Sequence, residues 1–191
     1  MLKHSVFLDR DGVINRDSPD YIKSWAEFEF IPGSLDAIRD LTRAGCPIFI
    51  ISNQSAVGRK YMDQAELDRI TQNMARRILE HSGRLTDIFY CPHQPADHCA
   101  CRKPKPGLIF KACERYGIDL STAVMVGDSP KDIQCARNAG CGAAVLVKTG
   151  CHKIDPEALR QNNHQPDYIA ADLREAAAWI IQRLPDNSFS L

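Results

Sequence analysis

The sequence predicts an α/β fold in which helices cover both faces of a mostly parallel sheet, as in Rossmann-like doubly wound proteins. Strand-like and helix-like segments alternate along nearly the whole chain of 191 residues, which is the pattern of repeated strand–helix–strand units. Residues 47–52 and 123–126 are continuous apolar runs, which is typical of parallel strands buried on both faces. Polar residues follow these runs, at the sheet edge where such folds bind ligands.

The segments can be placed in order. Strands are predicted over residues 5–8, 47–52, 87–91, 123–126 and 143–147, with a short one near 168–169. Helices are predicted from 33–34 to 45, 63 to about 82, 107 to about 116, 130 to about 140, and 173 to 184. Asp63 to Glu66 is a capping-box pattern, and Ser129 before Pro130 suits a helix start. Residues 15–32 lack clean periodicity and are expected to form a loop over the site.

Composition gives no support for a nucleic-acid-binding, membrane or secreted protein. The 24 basic and 24 acidic residues cancel, so net charge gives no argument for nucleic acid or an anionic membrane. No signal pattern and no apolar run of membrane-spanning length is seen, which predicts a cytoplasmic protein. The length and the apolar content of 44% predict one domain over residues 1–191, with a weakly structured tail at 185–191. We expect a monomer that acts on a small molecule.

The first strand ends in two acids, Asp9 and Asp11, followed by Gly12. Residues two apart on an extended strand point to the same side, so both carboxylates can reach one small volume beyond the sheet. They would repel each other without a cation, and Mg²⁺ suits oxygen ligands. One carboxylate can then attack phosphorus while the other handles a proton. The alternative is that this segment is only a turn or the cap of a strand end. A catalytic role therefore depends on partner residues elsewhere in the chain.

Later strand ends and loops supply those partners. Ser52 ends the second strand, Arg102 and Lys103 precede a helix, and Asp128 follows the fourth strand with Asp132 one turn later. Phosphoryl transfer needs a nucleophile, a metal, groups that bind the spare oxygens and a proton donor. The ordered set therefore predicts a phosphoryl-transfer site.

These motifs, in this order, resemble the haloacid dehalogenase (HAD) superfamily of phosphatases over nearly the whole chain. The resemblance implies that Asp9 forms an aspartyl-phosphate. It also implies that Asp11 protonates the leaving oxygen and then deprotonates water. Ser52 and Lys103 would hold the transferring phosphoryl group. The segments between the motifs are too short for a cap domain, so an open site is expected.

The same resemblance implies where the catalytic Mg²⁺ binds. Its ligands would be Asp9, the backbone carbonyl of Asp11 and Asp128, with Asp132 bracing the site from behind. A phosphosugar-binding module without turnover is the alternative from another class. The intact Asp9/Asp11 pair argues against it, because a nucleophilic carboxylate repels phosphate.

Residues 91–101 contain a second chemical signature, C-x-H-x₅-C-x-C. Three thiolates and an imidazole at this spacing suit a closed, tetrahedral Zn²⁺ site with a structural role. The predicted ligands are Cys91, His93, Cys99 and Cys101. A redox pair of Cys99 and Cys101, or His98 in place of His93, are the alternatives. The metal would stiffen the loop and aim Arg102 and Lys103 into the site.

The zinc loop narrows the resemblance to two capless families, the heptose 1,7-bisphosphate 7-phosphatases and the histidinol-phosphate phosphatases. Residues 9–15, 28–33, 103–107 and 145–150 favour the heptose family, whose members serve ADP-heptose and lipopolysaccharide-core synthesis. Histidinol phosphate remains the alternative substrate, for which Asp17, Asp20 and Asp97 could supply carboxylates. Ala56-Val57-Gly58 departs from the expected pattern. Ser129 replaces a lysine found in some heptose phosphatases, which leaves the anomer open.

A bisphosphate needs cations for its second phosphate. Arg59, Lys60, Arg102 and Lys105 lie in loops near the predicted site and are candidates. The residues that the resemblance implies for substrate contact lie at strand ends and in the loops around the site: Asp17, Tyr21, Ser52, Asn53, Gln54, Ser55, Arg102, Lys103 and Ser129.

Overall fold

A computed structural model describes residues 1–151 and 165–185. Within them a single parallel sheet holds six strands in the order β3–β2–β1–β4–β5–β6. The doubly wound α/β prediction is confirmed. The strands are β1 (Val6–Leu8), β2 (Ile48–Asn53), β3 (Asp87–Cys91), β4 (Val124–Gly127), β5 (Ala143–Val147) and β6 (Tyr168–Ala170).

Helices cover both faces of the sheet, and their ends follow the capping residues. Asp63 accepts a hydrogen bond from the Glu66 backbone N–H and so begins α3. Ser129 and Asp132 form a capping box at the start of α5, and Gly117 ends α4 in the left-handed region. The helices are α1 (Ser34–Arg43), α2 (Ser55–Gly58), α3 (Gln64–Glu80), α4 (Gly107–Tyr116), α5 (Pro130–Ala139) and α6 (Leu173–Ile181).

Alternation along the central strands divides the core into two layers. Val6 and Leu8 of β1 pack into the layer that includes buried residues of α1, α3 and α6. Phe7 points to the other side and packs with buried residues of α4 and α5. Its ring lies 5.6 Å from that of Phe49, its register partner on β2. Burial on both faces explains why these strands are apolar without alternation.

Four short elements lie where the sequence predicted neither helix nor strand: α2 and the 3₁₀ turns at Trp25–Glu27, Pro95–Asp97 and Leu120–Thr122. The helix α2 follows β2 directly, and its four residues are too few to show a helical period. A 3₁₀ turn at Trp25–Glu27 lies inside the predicted loop over 15–32. That loop is held by packing between aromatic rings, since Phe28 lies 4.9 Å from Trp25 and 5.0 Å from Phe30.

Other differences are small. Strand ends shift by about one residue, and α6 ends at Ile181 rather than 184. Most of the predicted tail lies outside the described residues. The cysteines outside the zinc loop are free: Cys46, Cys135 and Cys141 are buried, Cys113 is half-buried and Cys151 is exposed. Among the described residues, no helix is both long enough and apolar enough to cross a bilayer.

Candidate active site

The site lies at the carboxyl ends of the central strands. The strand order reverses between β1 and β4, and this reversal is where doubly wound sheets open a crevice. Asp9 follows β1 and Asp128 follows β4, so both lie at the crevice. A cavity of about 450 Å³ opens there and is lined by Asp9, Asp11 and Asp128. It is also lined by every predicted substrate-contact residue, namely Asp17, Tyr21, Ser52, Asn53, Gln54, Ser55, Arg102, Lys103 and Ser129.

Lys103 joins the two acidic motifs. Its ammonium is buried and lies 2.8 Å from Oδ2 of Asp9 and 2.6 Å from Oδ1 of Asp132. Burial alone would lower the pKa of Lys103, but the charges of Asp132 and Asp9 outweigh it and hold that pKa above its ordinary value. Asn53 fixes the Lys103 backbone, accepting from its N–H at 3.0 Å and donating to its carbonyl at 3.2 Å. The Lys103 ammonium is therefore held beside Asp9.

Asp9, Asp128 and Asp132 form a cluster of carboxylates that suits a divalent cation. One oxygen from each lies within 4.8 Å of the others. Burial raises the pKa of Asp9 to about 6, although Lys103 opposes the shift. Burial and then the charge of Asp9 raise the pKa of Asp128 to about 8. A hard dication would relieve this repulsion, so the donor set fits Mg²⁺.

Two glycines make room for the Asp128 carboxylate. Gly12 has φ +75, and a Cβ there would lie 2.5 Å from Oδ2 of Asp128. A Cβ on Gly150 would also collide with that oxygen. Larger residues at either position would displace the carboxylate, so both glycines shape the cation site.

Asp132 is occupied by protein contacts. Besides Lys103 on Oδ1, its Oδ2 accepts from the Ser129 hydroxyl at 2.7 Å and the Ser129 N–H at 3.1 Å. Both carboxylate oxygens are thereby engaged. Asp9 is engaged as well, at Oδ1 by the Arg10 backbone N–H at 2.7 Å and at Oδ2 by Lys103. Among the described residues, the Asp128 carboxylate has no such hydrogen bond or ion pair, so it is the member of the cluster that is most open to a cation.

Asp11 is held by a different set of donors. Nε and Nη2 of the buried Arg10 donate to its carboxylate, with distances of 2.8–3.1 Å. Asn15 and Gln54 each add a hydrogen bond of 2.8 Å. Burial alone would raise the pKa of Asp11, but Arg10, Asn15 and Gln54 hold it below its ordinary value. Gln54 also donates to the hydroxyl of the buried Ser52 at 3.1 Å, which links these two site residues.

The zinc-loop side chains converge on one point. Sγ of Cys101 lies 3.2 Å from Sγ of Cys91, 3.5 Å from Sγ of Cys99 and 3.3 Å from Nδ1 of His93. Zn–S bonds of about 2.3 Å in a tetrahedron would place sulfurs about 3.8 Å apart, close to these distances. The cluster can therefore hold Zn²⁺. It contains His93 rather than His98, and all three thiols are free.

The zinc loop is attached to the active site. The Cys91 carbonyl accepts from the Gln54 N–H at 2.7 Å, and Gln94 donates to the Gly58 carbonyl at 2.8 Å. Arg102 donates to the His93 carbonyl at 3.1 Å. Because Arg102 and Lys103 directly follow Cys101, the fold of this loop decides where both basic side chains lie.

Two residues that the sequence interpretation missed stand out. Arg10 lies between the two acids of the motif, and nothing in its sequence position shows that its side chain turns back onto Asp11. Lys131 lines the cavity from the first turn of α5. Arg59 and Lys60 are not among the lining residues, and Lys105 instead donates to the carbonyls of His98 and Cys99 at 3.0 Å each.

Comparison with known proteins identifies the class. A family model described as HAD-hydrolase-like matches residues 100–176. Together with the fold and the carboxylate cluster, this match defines the chain as a HAD-like hydrolase.

Relatives narrow the class further. The D-glycero-β-D-manno-heptose-1,7-bisphosphate 7-phosphatase of Pseudomonas aeruginosa is 46% identical over 150 residues, covering 78% of this chain and 84% of the relative. The enzyme of the same name from Escherichia coli K12 is 35% identical over 189 residues, covering 95% and 90%. The chain belongs to this phosphatase family, as its motifs predicted.

A solved structure supports the same conclusion. The D,D-heptose 1,7-bisphosphate phosphatase from B. bronchiseptica, crystallised in complex with magnesium and phosphate, superposes with a TM-score of 0.85 at 40% identity. The match covers 94% of this chain and 98% of that one.

Proposed function

We propose that this protein removes the 7-phosphate of D-glycero-β-D-manno-heptose 1,7-bisphosphate. The β anomer is chosen because the relatives carry it in their names. The observation that carries the proposal is the buried Lys103 ammonium 2.8 Å from Asp9, in a cavity with the carboxylate cluster. The enzyme would act as a cytoplasmic, monomeric single domain in ADP-heptose synthesis for the lipopolysaccharide core.

The first step joins Asp9 to phosphorus. A carboxylate oxygen of Asp9 attacks the 7-phosphate, and the bond from phosphorus to the sugar oxygen breaks. Asp11 gives its proton to that oxygen, which leaves as the sugar hydroxyl. Lys103 and Ser52 bind the spare phosphoryl oxygens, where charge must be stabilised during transfer.

The second step releases phosphate. Asp11, now a carboxylate, takes a proton from water, whose oxygen attacks the aspartyl-phosphate and frees Asp9. The low pKa of Asp11 favours the ionised carboxylate, which is the form that takes the proton from water in this step. The first step uses the protonated form, and the negative charge of bound phosphate raises the pKa of Asp11 toward it.

Two metals complete the proposal. Asp9, Asp128 and the backbone carbonyl of Asp11 would hold Mg²⁺, which supplies positive charge to the phosphoryl oxygens. Cys91, His93, Cys99 and Cys101 would hold a structural Zn²⁺ with no open coordination position.

The rival substrate, histidinol phosphate, would need carboxylates facing its ammonium and imidazole. Of the three acids that kept this option open, Asp17 lines the cavity. Asp97 instead accepts from the Gln94 backbone N–H at 2.8 Å in the zinc loop. Asp20 lines an adjoining cavity, which shares Pro19 and Tyr21 with the active-site cavity. The bisphosphate is therefore favoured by the names of the relatives rather than by the positions of these acids.

The test is phosphate release with Mg²⁺ from the heptose bisphosphate and histidinol phosphate, measured in parallel. We expect a much larger kcat/KM for the bisphosphate, and loss of turnover in Asp9→Asn. Preference for histidinol phosphate would overturn the substrate assignment. Undiminished turnover by Asp9→Asn would overturn the mechanism, and no turnover at all would favour a phosphosugar-binding module.

A further inference from the structure

A bisphosphate brings two phosphates to the cavity, and only one of them can lie at Asp9. Three basic residues line this cavity among the described part of the chain: Arg102, Lys103 and Lys131. We propose that Lys131, together with Arg102, forms the subsite for the phosphate that is not cleaved. This inference rests on the proposed function.

Lys103 cannot serve the second phosphate. Its ammonium is buried and lies between Asp9 and Asp132, at 2.8 and 2.6 Å. Moving it toward a distant phosphate would leave two buried carboxylates without their cation, which is strongly unfavourable. Lys103 therefore belongs to the phosphate under attack.

Arg102 and Lys131 line both the active-site cavity and a neighbouring cavity of about 260 Å³ formed with the zinc loop. Lys103 lines both cavities too, but its ammonium is already bound to two buried carboxylates. Arg102 and Lys131 are therefore the cations that a phosphate at the boundary between the two cavities can meet. Arg102 is half-buried, and its Nη1 donates to the His93 carbonyl at 3.1 Å, so its position is set by the zinc loop.

Lys131 has the properties that a flexible phosphate contact needs. It is the second residue of α5 and is exposed. Within residues 1–151 and 165–185, its ammonium makes no hydrogen bond or ion pair. It also lies in the first turn of a ten-residue helix, whose N-terminal partial charge favours an anion.

The other basic side chains near the site are less suited. Lys105 lines the neighbouring cavity, but its ammonium is already bound to the carbonyls of His98 and Cys99. Arg59 and Lys60 line neither cavity. Lys131 is thus the described lysine that lines the active-site cavity without a protein partner.

The test compares two substrates that share the reacting end. Heptose 1,7-bisphosphate and heptose 7-phosphate carry the same phosphate ester at C7, and they differ only in the second phosphate. For Lys131→Met we expect the ratio of their kcat/KM values to fall about tenfold, since a contact with a charged group is lost. The loss should come from a higher KM for the bisphosphate. Lys131→Arg should restore most of the ratio.

Lys111→Met is the matched control, because Lys111 is exposed on α4 and lines neither cavity. It should leave the ratio at the wild-type value. An unchanged ratio in Lys131→Met would overturn the subsite. The wild-type activities separate the two proposals. If the wild type hydrolyses neither heptose phosphate, the proposed function itself is wrong. If the wild type favours the bisphosphate and Lys131→Met has the same ratio as the wild type, the subsite alone fails.

Discussion

The guanidinium of Arg10 donates hydrogen bonds to both carboxylate oxygens of Asp11. Its Nη2 lies 2.8 Å from Oδ1 and 3.0 Å from Oδ2, and its Nε lies 3.1 Å from Oδ1. The Arg10 side chain is 1% exposed and that of Asp11 is 21% exposed. Arg10 is not among the residues that line the cavity, so under the proposed mechanism any effect of Arg10 on turnover has to pass through Asp11.

Replacing Arg10 should therefore affect both stability and turnover. Arg10→Met leaves a largely buried carboxylate with only Asn15 and Gln54 as donors, and we expect a loss of about 2–3 kcal/mol in the free energy of unfolding. Misplacement of Asp11 should lower kcat about 100-fold and change KM little. Urea unfolding and steady-state kinetics measure the two effects.

Arg16→Met is the control for this prediction. Arg16 pairs with Glu29 at 2.8 Å, but both side chains are more than half exposed. Its removal should change stability by less than about 1 kcal/mol. Equal effects of the two substitutions would show that the Arg10–Asp11 contact has no special role.

Lys103 should be required for chemistry. Lys103→Met removes the cation that faces the transferring phosphoryl group, and we expect kcat to fall about 100- to 1000-fold. Lys148→Met, on an exposed residue after β5, should retain wild-type kcat. Turnover by Lys103→Met within threefold of wild type would contradict the assigned role.

Burial of Asp128 predicts a pH-dependent stability in the metal-free protein. Its pKa is about 8 when folded, against 3.8 as the reference value. Between these pH values the unfolded chain releases the proton and the folded chain keeps it, so this group makes stability fall as pH rises. Asp128→Asn cannot ionise, so its stability advantage over the wild type should grow by roughly 2–4 kcal/mol between pH 5 and pH 8.

Magnesium should reverse this difference. Mg²⁺ binds the ionised carboxylate, so it should raise the unfolding temperature of the wild type at pH 8 and have little effect on Asp128→Asn. Thermal unfolding at the two pH values, with and without Mg²⁺, measures both effects. Equal stabilisation of the two proteins by Mg²⁺ would show that Asp128 is not a ligand.

The zinc loop should be needed to place Arg102 and Lys103. Removal of zinc with a chelator, or Cys99→Ser, should release the loop and lower kcat/KM at least tenfold. Cys113→Ser changes a half-buried free thiol outside the cluster and should leave metal content and activity unchanged. Metal analysis alongside activity tests this, and full activity in a zinc-free protein would contradict it.

The parts of this structure that the sequence predicts are those determined locally. Asp9, Ser52 and Asp128 each end an apolar run, and parallel strands bring such ends to one edge. The zinc ligands lie within eleven residues, so their spacing alone indicates a closed site. Asp63 begins α3 and Gly117 ends α4 through contacts with their own chain neighbours.

The parts that it does not predict depend on side-chain direction or on distant partners. Arg10 reads as a spacer between two acids, and only its rotamer shows that it binds Asp11. Lys131 lies between the predicted site residues Asp128 and Asp132, but only the folded structure shows that its side chain lines the cavity. The 3₁₀ turn at Trp25–Glu27 has no periodicity, and tertiary packing holds it.

The most direct test of the central claim is a ³¹P NMR time course of β-heptose 1,7-bisphosphate with the protein and Mg²⁺. It reports which of the two phosphates leaves. Loss of the C7 phosphate signal, growth of inorganic phosphate and an intact C1 phosphate would agree with attack by Asp9 on the 7-phosphate. Loss of the C1 phosphate first, or a spectrum that does not change, would contradict it.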